Sequence, residues 1–262
     1  MKNAVVHFLS LTLVLLLAAC GETNNDPNAK SGEISNAENL SDVYEQYVYD
    51  IDGKEMMMGN SLYYTRDDGA TVEVDIYVND SNQVVKTAEY YTKQAGGSIC
   101  TNLYYYKGDK KYVTKAYYEE GLGENAIFIE EVTYYDEAGN PLQTQMRKAP
   151  FEDQLINEQF KTITAKDHSD ARAVQVLNQQ GEFATDFQFF VNDEHLLYLV
   201  VGENKEGGYR SSLVVQRKGP VIQKLLANES SMVGTPLKVD FETMKGEMGF
   251  EFQALLDVEF AE

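Results

Sequence analysis

Between Gly69 and Val78 the chain alternates strictly. Val72, Val74, Ile76 and Val78 point one way, while Thr71, Glu73, Asp75 and Tyr77 point the other. A period of two places one face against a core and leaves the other wet. Met56, Met58, Leu62 and Tyr64 repeat the pattern, as do Ile127 and Ile129 against Glu130. From Tyr49 to Tyr135 a tyrosine recurs every 13 to 17 residues, at Tyr49, Tyr64, Tyr77, Tyr91, Tyr105, Tyr118 and Tyr135. Each precedes a turn signal, such as Asp68-Gly69, Asn79-Asp80-Ser81-Asn82, Gly96-Gly97 or Gly139-Asn140. Strand, turn and strand at one rhythm predict a long antiparallel meander.

Other periodicities are sparse. Ser35 to Glu38 has capping-box spacing, and Leu40, Val43, Tyr44 and Tyr47 follow at helical intervals, so a short helix is expected near residues 36–46. It competes with a strand reading of Tyr47-Val48-Tyr49. Pro150 to Phe160 is the best helix pattern, with Pro in the first turn and Phe151, Leu155, Ile156 and Phe160 on one stripe. Strand signals then resume at 173–177, 183–191, 196–201, 209–216, 221–226, 237–243 and 248–260. The expected fold is all-β. Thirteen or fourteen strands with one or two short helices form a large antiparallel meander, curled into a half-barrel, a barrel or two packed sheets.

Composition divides this body. Sixteen of the 18 tyrosines lie between Tyr44 and Tyr135, whereas ten of the 12 phenylalanines follow residue 150. The break predicts a Tyr-rich meander over 42–148, a connecting helix over 149–165 and a Phe-rich β part over 166–262 of the same globular unit, each half with its own kind of core.

The first segment has a different character. Lys2 precedes an apolar run from Ala4 to Leu16, too short to span a bilayer and laid out as a signal peptide. It ends in Leu17-Ala18-Ala19-Cys20-Gly21, which resembles the lipobox of bacterial lipoproteins. The resemblance implies a signal peptide over 1–19, cleavage before Cys20, a diacylglycerol on the Cys20 sulfur and acylation of the new amino group. Two or more chains are what stable anchoring requires. The partner so implied is a lipid bilayer, reached through acylated Cys20 and a lipidated flexible linker over 20–41. As a coil, about twenty such residues reach roughly 25 Å. Gly21, rather than Asp, after the cysteine implies the outer membrane, facing either the periplasm or the cell surface. The run Tyr134-Tyr135-Asp136-Glu137-Ala138-Gly139-Asn140-Pro141-Leu142 is similar to the hairpin units of MORN-variant and Tyr-Asp repeat proteins; the resemblance implies a meander and no function.

Charge narrows the partners. The chain carries 22 Lys and Arg against 42 Asp and Glu. Such a balance disfavours nucleic acid and docking on anionic head groups. With Cys20 acylated, Cys100 stands alone in an oxidising compartment, in a strand-like alternation that suits a small half-buried residue.

Signals for chemistry are few. His168 and His195 lack partners at zinc spacing and read as loop and turn residues. Asp50-Ile51-Asp52-Gly53 resembles part of a calcium loop but lacks its distal ligand, and reads as a hairpin turn. No cofactor motif is present. A glycosidase-type acid pair among so many carboxylates stays an alternative. The tyrosines are the main candidate site. In a meander, turns alternate ends, so Tyr49, Tyr77, Tyr105 and Tyr135 would line one rim and Tyr64, Tyr91 and Tyr118 the other. Such rows offer rings and hydroxyls to a ligand or protein partner. The leading expectation is an extracytoplasmic lipoprotein with a non-enzymatic binding or structural role; the alternative is a half-barrel carrier of an apolar ligand.

Overall fold

The computed structural model describes residues 37–261, apart from Ala95, Leu122, Glu194, Glu247 and Met248. Cys20, the signal segment and most of the linker expectation lie outside the described residues. The linker's last positions do not, because helix α1 (Ala37–Asp52) begins inside them.

Strand alternation builds the body as expected. Fourteen strands form a single mixed sheet, open at both edges, so the barrel and two-sheet alternatives give way to one sheet. They are β1 (Met57–Asn60), β2 (Tyr64–Thr65), β3 (Thr71–Val78), β4 (Val84–Tyr91), β5 (Cys100–Lys107), β6 (Lys110–Glu120), β7 (Ile127–Tyr135), β8 (Pro141–Ala149), β9 (Lys161–Ile163), β10 (Asp186–Asp193), β11 (Leu196–Gly202), β12 (Arg210–Val215), β13 (Leu237–Lys245) and β14 (Glu251–Phe260). β3 to β9 run as a meander in sequence order, and their turns close as read. Gly69 N donates to Arg66 O at 2.9 Å, Asn82 N to Asn79 O at 2.9 Å, and Gly139 N to Asp136 O at 2.9 Å. Gly139 sits at φ 86°, where a side chain is strained.

The Tyr-rich and Phe-rich halves share this sheet. Two-residue β2 joins them, pairing Tyr64 with Val72 on β3 and Thr65 with Arg210 on β12. The only parallel pairing among the described strands is β12 with β14. Two apolar clusters nevertheless form. One gathers Leu62, Tyr64, Val72, Val74, Phe183, Phe187, Leu199, Val201, Leu213 and Leu255. The other gathers Tyr44, Val48 and Ile51 of α1 against Tyr105, Val113, Val132 and Tyr134.

Several expected elements change type. The helix near 36–46 extends to Asp52 and absorbs Tyr47-Val48-Tyr49, because Tyr44, Val48 and Ile51 repeat at i, i+4, i+7 and all are buried. Asp50 to Gly53 is therefore a helix end, not a hairpin turn. The expected strands at 173–177 and 221–226 are helices α2 (Ala171–Leu177) and α3 (Pro220–Ala227), a correction. Their buried positions, Ala173 with Val176 and Ile222 with Leu225, are three apart, which suits a helix face and not a pleat. The helix expected at 150–160 is only a 3-10 turn over Glu152–Asn157. Of its apolar stripe Leu155 alone is buried, while Phe151, Ile156 and Phe160 stay exposed. A four-residue helix, α4 (Glu229–Met232), follows α3.

Candidate functional site

Consecutive residues of a strand face opposite sides, so each tyrosine doublet serves both faces of the sheet. Tyr105 and Tyr134 face α1, whereas Tyr104 and Tyr118 face the segment 164–170 and α2. From Tyr104 to Tyr135 most of the doublet phenols end on a carboxylate, whereas Tyr64 donates to the Phe183 carbonyl. Tyr105 donates to Asp52 at 2.9 Å, Tyr106 to Asp170 at 3.0 Å and Tyr117 to Glu130 at 3.0 Å. Tyr118 donates to Glu131 at 2.9 Å, Tyr134 to Glu45 at 3.2 Å and Tyr135 to Asp167 at 3.1 Å. Buried hydroxyls need partners, and an acid-rich chain supplies charged acceptors.

One register row matters most. Val74, Glu89, Asn102, Ala116, Glu131 and Met146 are successive cross-strand partners from β3 to β8. Ala116, the smallest side chain of the row, lies between two buried acids. Above it opens a groove of about 690 Å³. Glu89, Asn102, Tyr104 and Ala116 form its floor, Tyr91, Lys93, Tyr118 and Glu120 one end, and segment 166–169 with Ala171, Arg172 and Gln175 the opposite wall.

The wall is strapped down. Lys166 N donates to Thr144 Oγ1 at 2.9 Å, and His168 N donates to the Tyr135 hydroxyl at 3.1 Å. Lys111 Nζ donates to Asp167 Oδ1 at 2.5 Å and to His168 O at 2.7 Å, and the Tyr104 hydroxyl donates to Ser169 O at 2.9 Å. A stretch with no regular structure is held by these bonds to the sheet below, together with those of Tyr135 to Asp167 and of Lys166 Nζ to Glu131.

Both acids are saturated from within. Glu89, 1% exposed, accepts Arg172 Nε at 2.6 Å and Asn102 Nδ2 at 2.8 Å, with the Tyr104 hydroxyl at 3.1 Å. Arg172 in turn places its Cζ 3.7 Å from the Tyr91 ring centroid. Glu131 accepts Tyr118 and, at 2.8 Å, Lys166 Nζ. Burial works to raise the Glu131 carboxyl, but the hydrogen bonds from Lys166 and Tyr118 outweigh it and hold it below the usual range. His168 Nε2 lies 3.1 Å from Glu131 Oε2 without hydrogen-bond alignment, on a side chain nine-tenths buried. Burial, with Lys166 adding to it, pushes the imidazole pKa down.

The tyrosine rims do not form as expected. Tyr64, Tyr105 and Tyr135 are fully buried, Tyr49 is 74% exposed on α1, and Tyr77 is half-buried on β3 beside Lys86. Bulges beside Tyr77, Tyr105 and Tyr134 also shift the register that the rims assume. Of the seven, only Tyr91 and Tyr118 meet at one surface, the groove. His168 lies on a loop as read, yet its side chain lines that groove.

An acid pair finds poor support here. Glu89 and Glu131 stand three strands apart, and their carboxylates are tied to separate cations, Arg172 and Lys166. On the opposite face Glu73 and Asp75 are both pushed up by burial. Asp75 adds to the rise at Glu73, and Lys86 offsets part of it at Asp75. They are neighbours along one strand and do not face each other across a cleft. The groove's polar lining also differs from the apolar cavity that a lipid carrier needs. Comparison with protein-family models, curated proteins and solved structures finds no match to this chain.

Proposed function

We propose that the protein is a lipid-anchored, extracytoplasmic binding protein of the outer membrane, and that the groove over Ala116 receives a hydrophilic ligand. The observation that carries the ligand reading is the groove's construction. A strap with no regular structure is held over a row of buried, fully partnered acids, leaving a polar trough lined by three tyrosine rings, two amides and three cations. Polar groups that converge in one concavity are what fixes a ligand's orientation there. The lipobox resemblance at Cys20 supports the anchor.

Two experiments test the two halves. Cys20→Ala should move the protein from the membrane fraction to the soluble fraction, and an unchanged membrane fraction would sink the anchor. Ala171→Trp puts an indole at an exposed wall position and should abolish retention of the soluble mature chain in polysaccharide-containing gels without shifting its melting temperature. Wild-type retention by Ala171→Trp would remove the groove from the reading.

A further inference from the structure

Resting on that groove reading, we infer that the ligand is an acidic glycan, with its anionic group held by Lys93 and Lys166 across the Tyr118 ring. The two ammonium groups each lie 5.9 Å from the centroid of that ring, on opposite segments of the groove. Lys166 spends one donor on Glu131 and keeps half its side chain exposed. Lys93 is exposed and forms no ion pair among the described residues. The acids around them are already engaged. Glu89 and Glu131 accept from within, and Asp167 Oδ1 accepts Lys111 and Tyr135. Among the described residues, Glu120 is the lining acid without such a partner. The groove therefore offers spare donors in a chain whose net charge is −20.

The glycan class follows from position and lining. The floor lies on β4, β5 and β6, each paired with a strand on both sides, so an extended peptide cannot add here as a strand. Apolar side chains are nearly absent, with Ala116 and Ala171 the aliphatic ones, so there is no pocket for peptide hydrophobes. What remains are the Tyr118 ring for a sugar face, the Tyr91 ring already carrying Arg172, and the amides of Asn102 and Gln175 for hydroxyls.

The test is affinity electrophoresis of the soluble mature chain against polygalacturonate, chondroitin sulfate, dextran and poly-L-glutamate. Retention by polygalacturonate is expected, weakening as salt rises because exposed charge pairs are screened. Retention by chondroitin sulfate alone would assign the anionic group as sulfate, still within the inference, whereas polygalacturonate binding assigns carboxylate. Lys93→Glu should weaken binding about tenfold, the scale of one charge-assisted hydrogen bond, with Lys93→Arg retaining it and Glu120→Gln tightening it. Dextran bound as well as the acidic glycans, and lost in Ala171→Trp, would overturn the acidic inference and leave the groove standing. Equal retention by poly-L-glutamate would overturn the glycan class. Absence of retention by every probe, or retention indifferent to Ala171→Trp, would overturn both.

Discussion

Glu89→Ala removes the acceptor on which the groove's wall and floor converge. Three donors lose their partner: Arg172 Nε at 2.6 Å, Asn102 Nδ2 at 2.8 Å and the Tyr104 hydroxyl at 3.1 Å. Stripping one member from a buried ion pair costs about 3–5 kcal/mol. Arg172 is 34% exposed and regains water, which lowers that figure. Tyr104 keeps its bond to Ser169 O. Adding about 1 kcal/mol for the orphaned amide gives a loss of roughly 3 kcal/mol. For a body of about 225 residues this lowers the melting temperature by roughly 6–12 °C. Thermal unfolding of the soluble chain at pH 7 reads it directly. Glu251→Ala is the control, since its pair with Lys245 is exposed on both sides; its shift should stay under about 2 °C. A Glu89→Ala shift no larger than the control would refute the claim that this carboxylate holds strap to sheet.

Three further outcomes follow from the same geometry. Tyr105→Phe should destabilise by about 1–2 kcal/mol, because a buried phenol loses Asp52. Tyr49→Phe, on a surface position, should be neutral by the same denaturant titration; equal effects would contradict the burial. His168 has a folded-state pKa below its ordinary value of 6.5, so the unfolded chain binds the extra proton first. Its contribution is therefore lost as pH falls below about 6.5. The melting temperature of His168→Gln should be flatter than wild type between about pH 6.5 and 5, and parallel curves would dismiss the effect. Gly202→Ala would bring a methyl 2.2 Å from the Tyr209 carbonyl oxygen and 2.9 Å from Arg210 Cα. Backbone must shift, at about 1–3 kcal/mol, and an unchanged midpoint in chemical unfolding would contradict that close approach.

How much was legible depends on the range of the signal. Alternation at Val72, Val74 and Ile76 is local, and the all-β class followed from such runs. α2 and α3 were misread because five or six apolar residues suit either element until the spacing of Ala173 and Val176, or Ile222 and Leu225, is weighed. The groove lay beyond sequence reading for another reason. Glu89, Asn102, Ala116 and Glu131 become neighbours only through register across four strands, and bulges beside Tyr77, Tyr105 and Tyr134 alter register unpredictably. One usable clue was present. A hairpin pairs Glu89 with Asn102, and that row places Tyr91, Tyr104 and Tyr118 on the same face. The rims failed because a tyrosine before a turn says where a strand ends, not which face its ring occupies.

Hydroxyl-radical footprinting of the tyrosines, with and without saturating polygalacturonate, tests the central claim most directly. Tyr91 and Tyr118, which line the groove, should be protected, while Tyr49, exposed on α1, should react as before. Protection of Tyr49 with Tyr91 and Tyr118 unchanged would place the ligand elsewhere and contradict the account.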